Sequence, residues 1–174
     1  LADLGGGHFQ AQVAAPPAGW TAYYIDVAFG DLHFTTSVNV VTAPLAGDAP
    51  SVSVSSGGSQ LLSLDAGLDN AGRTYLLLGS AAGTSPGIDI WGQHLPLNIV
   101  DPWFEFTLQM PNTPVLFPSL ATLDEEGQAT AAFTFPAPQH PSMAGLTVHH
   151  AFVVLGAADP IVFASTAVPV DLVP

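Results

Sequence analysis

The sequence predicts an all-β fold: an antiparallel β-sandwich, immunoglobulin-like or jelly-roll-like, with no significant helix. Three observations carry this. The 17 Gly and 16 Pro are spread evenly through 174 residues and cut every apolar run to strand length. No uninterrupted stretch of about 12 residues places apolar side chains at i, i+3, i+4 and i+7, the spacing that buries one face of a helix. Turn residues separate the apolar runs at the intervals expected of a sandwich or barrel.

In chain order the candidate strands are His8–Val13, Thr21–Phe29, Leu32–Val41, Ser51–Val54, Gln60–Leu64, Thr74–Ser80, Phe104–Met110, Ala129–Phe135, Thr147–Leu155, Ile161–Ser165 and Val168–Leu172. Between the second and third stands Gly30-Asp31, a two-residue hairpin signal because Gly supplies the positive φ that such loops need. Thr42–Pro50 is bounded by Pro and Gly and polar at its tip, so it reads as a linker. It separates a β-hairpin module at 1–43, read as the incomplete tail of an Ig-like domain, from a β-sandwich module at 51–174. Three or four strands do not make an independent sandwich. The first module therefore packs on the second or belongs to a domain that begins elsewhere.

Composition narrows the function classes. One Lys+Arg stands against 14 Asp+Glu, a formal net charge of −13, with 48% hydrophobic and only 9% charged residues. A nucleic-acid surface needs clustered cations on phosphates, and the single cation, Arg73, cannot provide one. The same deficit argues against anionic membrane surfaces. Without Cys there are no disulfides, thiolate metal sites or cysteine nucleophiles. Apolar runs such as Ala151–Leu155 are far shorter than the ~18–20 residues of a membrane-spanning helix, so no membrane insertion is expected. Leu1 in place of an initiator Met is read as a processing site or a boundary in a longer chain. Abundant Ala, Gly, Pro, Ser and Thr with no Lys suits an exported bacterial surface protein, secreted or held at the cell surface.

Two stretches resemble known sequences. Leu4-Gly-Gly-Gly-His-Phe9, Ala15-Pro-Pro-Ala-Gly-Trp-Thr-Ala-Tyr-Tyr-Ile-Asp-Val-Ala-Phe29 and Phe34-Thr-Thr-Ser-Val-Asn-Val-Val41 resemble the C-terminal β-domain of PhoPQ-activated pathogenicity-related proteins. Those are secreted, α/β-hydrolase-like proteins. The resemblance covers about a quarter of the chain and brings no hydrolase core with it. Gly79-Ser-Ala-Ala-Gly83 sets its Ser directly after Gly and so departs from the Gly-x-Ser-x-Gly elbow. No catalytic residue carries over. From Ser51 on, pieces such as Asn70-Ala-Gly-Arg-Thr-Tyr-Leu-Leu-Leu-Gly-Ser80, Leu95-Pro-Leu-Asn98 and Gly145-Leu-Thr-Val-His-His-Ala-Phe152 resemble a C-terminal β-module of large secreted proteins from planctomycete- and myxobacteria-like bacteria. That resemblance implies location and fold, not an activity.

Candidate site residues are few. Arg73, the lone cation, is expected to pair with Asp65, Asp69 or Asp124 and lock a loop, because a guanidinium binds a carboxylate through two hydrogen bonds. Asp65, Asp69, Asn70 and Asp89 are oxygen donors that suit Ca²⁺. The run Asp65-Ala-Gly-Leu-Asp69-Asn70 lacks EF-hand spacing, however, and closing a turn is the preferred role. Calcium is kept only as a secondary idea, and no metal ligand set is assigned. His149 and His150 are adjacent in a strand, so they face opposite ways and cannot share a metal. Glu125-Glu126 follow Asp124 at an acidic hairpin tip and read as solvated charge rather than as a glycosidase pair. Trp91 and Trp103 are candidates for stacking on a ligand such as a sugar ring. In the strand reading, Trp103 shares a face with Glu105, while Phe104 and Phe106 share the other.

The expected function is that of a non-catalytic secreted module, the C-terminal accessory or sorting part of a larger exported protein. Two alternatives stand beside it. One is a structural subunit of an extracellular filament or surface layer that assembles by strand addition through exposed edges, suggested by the mean hydropathy of +0.42 and the incomplete first module. The other is a carbohydrate- or Ca²⁺-dependent adhesion module. The partners expected are thus a protein or a second copy meeting edge strands, with a polysaccharide as a further candidate.

Overall fold

Two units divide the chain, Leu1–Thr42 and Ala43–Pro174. The structure, a computed structural model, describes residues 43–174 in full and, of residues 1–42, the backbone of the strands named here. In the first unit these are β1 (Ala2–Asp3), β2 (Phe9–Gln10), β3 (Trp20–Tyr23), β4 (Asp26–Phe29), β5 (Leu32–Thr35) and β6 (Asn39–Thr42). β1 pairs with β2, β3 with β6 and β4 with β5, all antiparallel. Phe29 stands opposite Leu32, the register of a two-residue connection at 30–31. Each long strand of the sequence reading thus contains two shorter ones. The rest of His8–Val13 and the residues Gly30-Asp31 themselves lie outside the described residues.

The second unit runs β7 (Leu45–Gly47), β8 (Ser51–Ser53), β9 (Gly58–Asp65), β10 (Thr74–Ser80), β11 (Ile88–Ile90), β12 (Gln93–Leu95), α1 (Pro102–Gln109), β13 (Leu116–Phe117), β14 (Leu120–Thr122), β15 (Gln128–Phe135), β16 (Thr147–Leu155), β17 (Ile161–Ala164) and β18 (Val168–Val173). A six-stranded sheet has the order β14-β10-β16-β18-β8, with β17 also paired to β16. A four-stranded sheet has the order β13-β15-β9-β7. Pairing is antiparallel except between β18 and β8.

Period-two alternation builds the sandwich. On β9, Gln60, Leu62 and Leu64 are buried while Leu61 and Ser63 are exposed. On β15, Ala131, Phe133 and Phe135 face the same interior. Tyr75, Leu77, Val148, Phe152, Val154, Val170 and Leu172 meet them from the six-stranded sheet. Full burial of side chains such as Phe133 and Phe152 stabilises the fold by roughly 1.5–3 kcal/mol each. A second apolar layer covers the other face of that sheet, where Leu78, Ala151 and Val153 pack under Leu95, Leu97 and Phe104. The centre of β16, from His150 to Val154, is therefore buried on both faces.

The chain is mostly strand, as expected, with three departures from the sequence reading. Phe104–Met110 is not a strand: Pro102–Gln109 forms a short helix. Asp101 caps it by accepting the Trp103 N–H, and Pro102 occupies the first turn, where a missing N–H does no harm. These start signals outweigh the two-residue alternation of Trp103-Phe-Glu-Phe106. Next, the expected linker contains a strand. Leu45 is buried in the core and β7 pairs with β9, so the second unit begins at Ala43 rather than Ser51. Finally, β11, β12, β13 and β14 are two or three residues long, too short to show a period.

The outermost strands of both sheets are short: β14 and β8 in one, β13 and β7 in the other, each two or three residues. Asn112 covers part of the β14 edge. Its Oδ1 accepts from the Ser119 and Leu120 N–H groups at 2.7 and 3.0 Å, and its Nδ2 donates to the Leu120 carbonyl at 2.9 Å. A side chain thus takes the place of a neighbouring strand and blunts an edge that would otherwise invite pairing. Asn112 holds φ at 61°, a left-handed value that Asn tolerates better than most residues.

Candidate functional site

A set of side-chain bonds at the end of β10 fixes the approach to the most exposed aromatic of the second unit. Asp101, buried, accepts from the Ala81 N–H at 2.6 Å as well as capping α1. Ser80 Oγ donates to the Asn98 carbonyl at 2.9 Å. Asn98 in turn donates to the Ala82 and Ser85 carbonyls and accepts from the Gly87 N–H. The Gly79 N–H donates to Thr107 Oγ1 on the helix at 3.1 Å. Residues 79–87 are thus tied to α1 and to the segment after β12.

From that base the β11–β12 hairpin projects. Ile88, Ile90 and Leu95 anchor it in the second apolar layer. Ile90 pairs with Gln93, leaving Trp91-Gly92 as a two-residue turn with φ of 52° and 80°. Positive φ at both positions is the type I′ pattern, which favours Asn-Gly and places a bulky side chain under strain. Trp91 is nonetheless 65% exposed. One pair back from the turn, Asp89 stands opposite His94, and Asp89 Oδ1 lies 2.7 Å from His94 Nδ1. Both side chains are largely exposed. The Cε1–Nε2 edge of His94 lies over Gly87, where any Cβ would press on it. A His–carboxylate pair is half of a general-base device, but nucleophilic catalysis also needs a hydroxyl or thiol on the other ring nitrogen. Among the described residues no such bond is present.

The other expected site residues lie elsewhere. Arg73 is exposed just before β10. Asp65 Oδ1 accepts the Gly67 N–H at 3.0 Å, and Asp124 Oδ1 accepts the Glu126 and Gln128 N–H groups at 3.0 and 2.7 Å. Both carboxylates thus close turns through the adjacent backbone. Asp69 is exposed in the 3-10 turn Leu68–Asn70. Glu125 and Glu126 are exposed at the tip between β14 and β15. Among the described residues, no three His, Asp or Glu side chains converge to hold a metal ion.

Trp103 packs inward. It stacks on Phe106 at 5.2 Å, meets Phe133 edge-on at 6.0 Å and packs against the main core. Its indole nitrogen fills the space beside Gly79 that a Cβ would occupy. His150 occupies the same end of the core, opposite Gly79 in the β10–β16 ladder and 4.9 Å from the Phe133 ring. It is wholly buried, and neither ring nitrogen makes a hydrogen bond. Burial, with a smaller contribution from His149, lowers its pKa to about 3. His149 lies on the other face of β16, half-buried, and desolvation lowers its pKa while Asp171 opposes the shift. Sequence reasoning missed the roles of Asn98, Asp101 and Asn112. Asp101-Pro102 was the one legible signal, since Asp before Pro is a helix start.

No protein-family model matches this chain, and no curated protein matches it. No helix among the described residues is long and apolar enough to cross a membrane.

Proposed function

We propose that this chain is a non-catalytic β-sandwich module, the C-terminal accessory or sorting part of a larger exported protein, and that it works through its surface. The observation that carries this reading is where the polar side chains go. Asp101, Asn98, Asn112, Asp124 and Gln60 all make hydrogen bonds to loop and strand-end backbone. Such bonding makes a rigid scaffold whose variable chemistry lies outside. The net charge of −13 suits a freely dissolved surface. The short outer strands and the Asn112 cover favour contact through a face or a loop over strand addition.

The test combines three measurements. Limited proteolysis is expected to leave one compact resistant fragment. Chromogenic ester and phosphate substrates are expected to give no turnover above buffer. Light scattering over a concentration series is expected to show a monomer. Hydrolysis abolished by one point mutation overturns the non-catalytic reading, and concentration-dependent fibres or rings overturn it in favour of a filament subunit.

A further inference from the structure

We propose that the tip of the β11–β12 hairpin is a binding subsite for a neutral polysaccharide, with Trp91 as the stacking platform and Asp89 and His94 as hydrogen-bonding partners. The proposal rests on the reading of the chain as a surface-acting module and adds the ligand class and the residues.

Isolated exposed apolar residues are ordinary on protein surfaces, so exposure alone decides nothing. Trp91 differs because the turn disfavours it. At φ 52° in a two-residue turn before Gly92, Asn relieves the strain that a large side chain brings. Packing does not repay that strain, since the side chain is 65% exposed. Strain at an exposed aromatic points to a role outside the fold. The hairpin beneath is rigid: Leu95 is buried, and Gly87 at its foot is held by Asn98.

The chemistry around Trp91 selects the ligand. A pyranose ring has an apolar face of C–H groups that lies flat on an indole, and a rim of hydroxyls that both donate and accept. Asp89 and His94 are already oriented by their 2.7 Å contact, so they meet those hydroxyls with little further ordering. An apolar platform with a few fixed polar groups is the usual composition of a small-ligand site. A net charge of −13 repels anionic glycans, and the stacking face and hydroxyl rim that Trp91, Asp89 and His94 suit are those of a neutral ring. Quaternary ammonium ligands need a cage of several aromatics, and this hairpin carries one. One platform covers one ring, so useful binding comes from a polymer that offers many equivalent rings.

The experiment is native-gel affinity electrophoresis of the full chain through gels containing hydroxyethylcellulose, galactomannan or laminarin, with alginate as the anionic control and choline as a soluble competitor. At least one neutral polymer is expected to retard the chain, with alginate inert and choline without effect. Trp91→Asn is expected to weaken retardation at least tenfold, as loss of a Trp anchor does, without lowering Tm. Asp89→Asn is expected to weaken it less. Retardation by no neutral polymer, retardation unchanged in Trp91→Asn, or displacement by choline overturns the proposal. A Tm lowered by several degrees in Trp91→Asn also overturns it, because the indole would then be a packing residue. Reducing ends released from the polymer count against the non-catalytic reading alone and leave the subsite standing.

Discussion

Two histidine–tryptophan neighbourhoods in the second unit invite comparison. At the end of the sandwich core, His150 and Trp103 surround Gly79 and touch the same Phe133 ring, with their ring nitrogens unbonded. On the β11–β12 hairpin, His94 is bonded to Asp89 and Trp91 stands in solvent on a strained turn. The residue types are the same and the roles are opposite. In the core the aromatic bodies are used and the polar atoms are a burden, since desolvating a nitrogen without a partner is unfavourable. On the hairpin the polar atoms are satisfied or solvated and the aromatic body is left uncovered. Burial, rather than residue type, decides which half of an amphipathic side chain matters.

The largest expected effect comes from titrating the core. The folded pKa of His150, about 3, lies below its unfolded value near 6.5, so the unfolded chain binds the proton first as pH falls. Stability from this residue is complete above pH 6.5 and is lost as pH falls toward 3, at about 1.4 kcal/mol per unit, or about 2 kcal/mol by pH 5. Urea midpoints between pH 7 and 5 are expected to fall accordingly, and His150→Leu to remove most of the slope. A slope unchanged in that variant would mean that His150 is not desolvated. Next is the indole seat: Gly79→Ala places a Cβ against Trp103 and is expected to destabilise by about 1–3 kcal/mol, read from chemical denaturation with Trp fluorescence as probe. On the hairpin the sign reverses. Trp91→Asn is expected to raise stability by a few tenths to about 1 kcal/mol, because Asn accepts the left-handed position. The smallest effect belongs to the exposed pair: His94→Ala is expected to change stability by less than about 1 kcal/mol, read from chemical denaturation.

The strands that carry the sandwich were legible where they were long enough to alternate. β9, β10, β15, β16 and β18 fall within a few residues of the runs read from sequence. β7 was hidden in what reads as a linker because three residues cannot show a period. The α1 helix was hidden because eight residues hold only two i,i+3 pairs, Phe104 with Thr107 inward and Trp103 on Phe106, while Trp103-Phe-Glu-Phe106 also reads as strand alternation. Of the candidate site, Trp91 could be named from the sequence but not separated from Trp103, and Asp89 was read as an oxygen donor without its partner. His94 gave no signal, since its pairing across a two-residue turn depends on a register that the chain does not announce.

By itself the sequence determined the class: punctuation by Gly and Pro, alternating apolar runs and a near-absence of cations leave an acidic all-β chain. Only the tertiary structure decided which tryptophan packs inward and which is exposed, and which carboxylates close turns. These outcomes depend on contacts between residues distant in sequence, such as Gly79 with Trp103 and His150 with Phe133. Local periodicity reports which face of a strand is apolar, and carries no information about what packs against it.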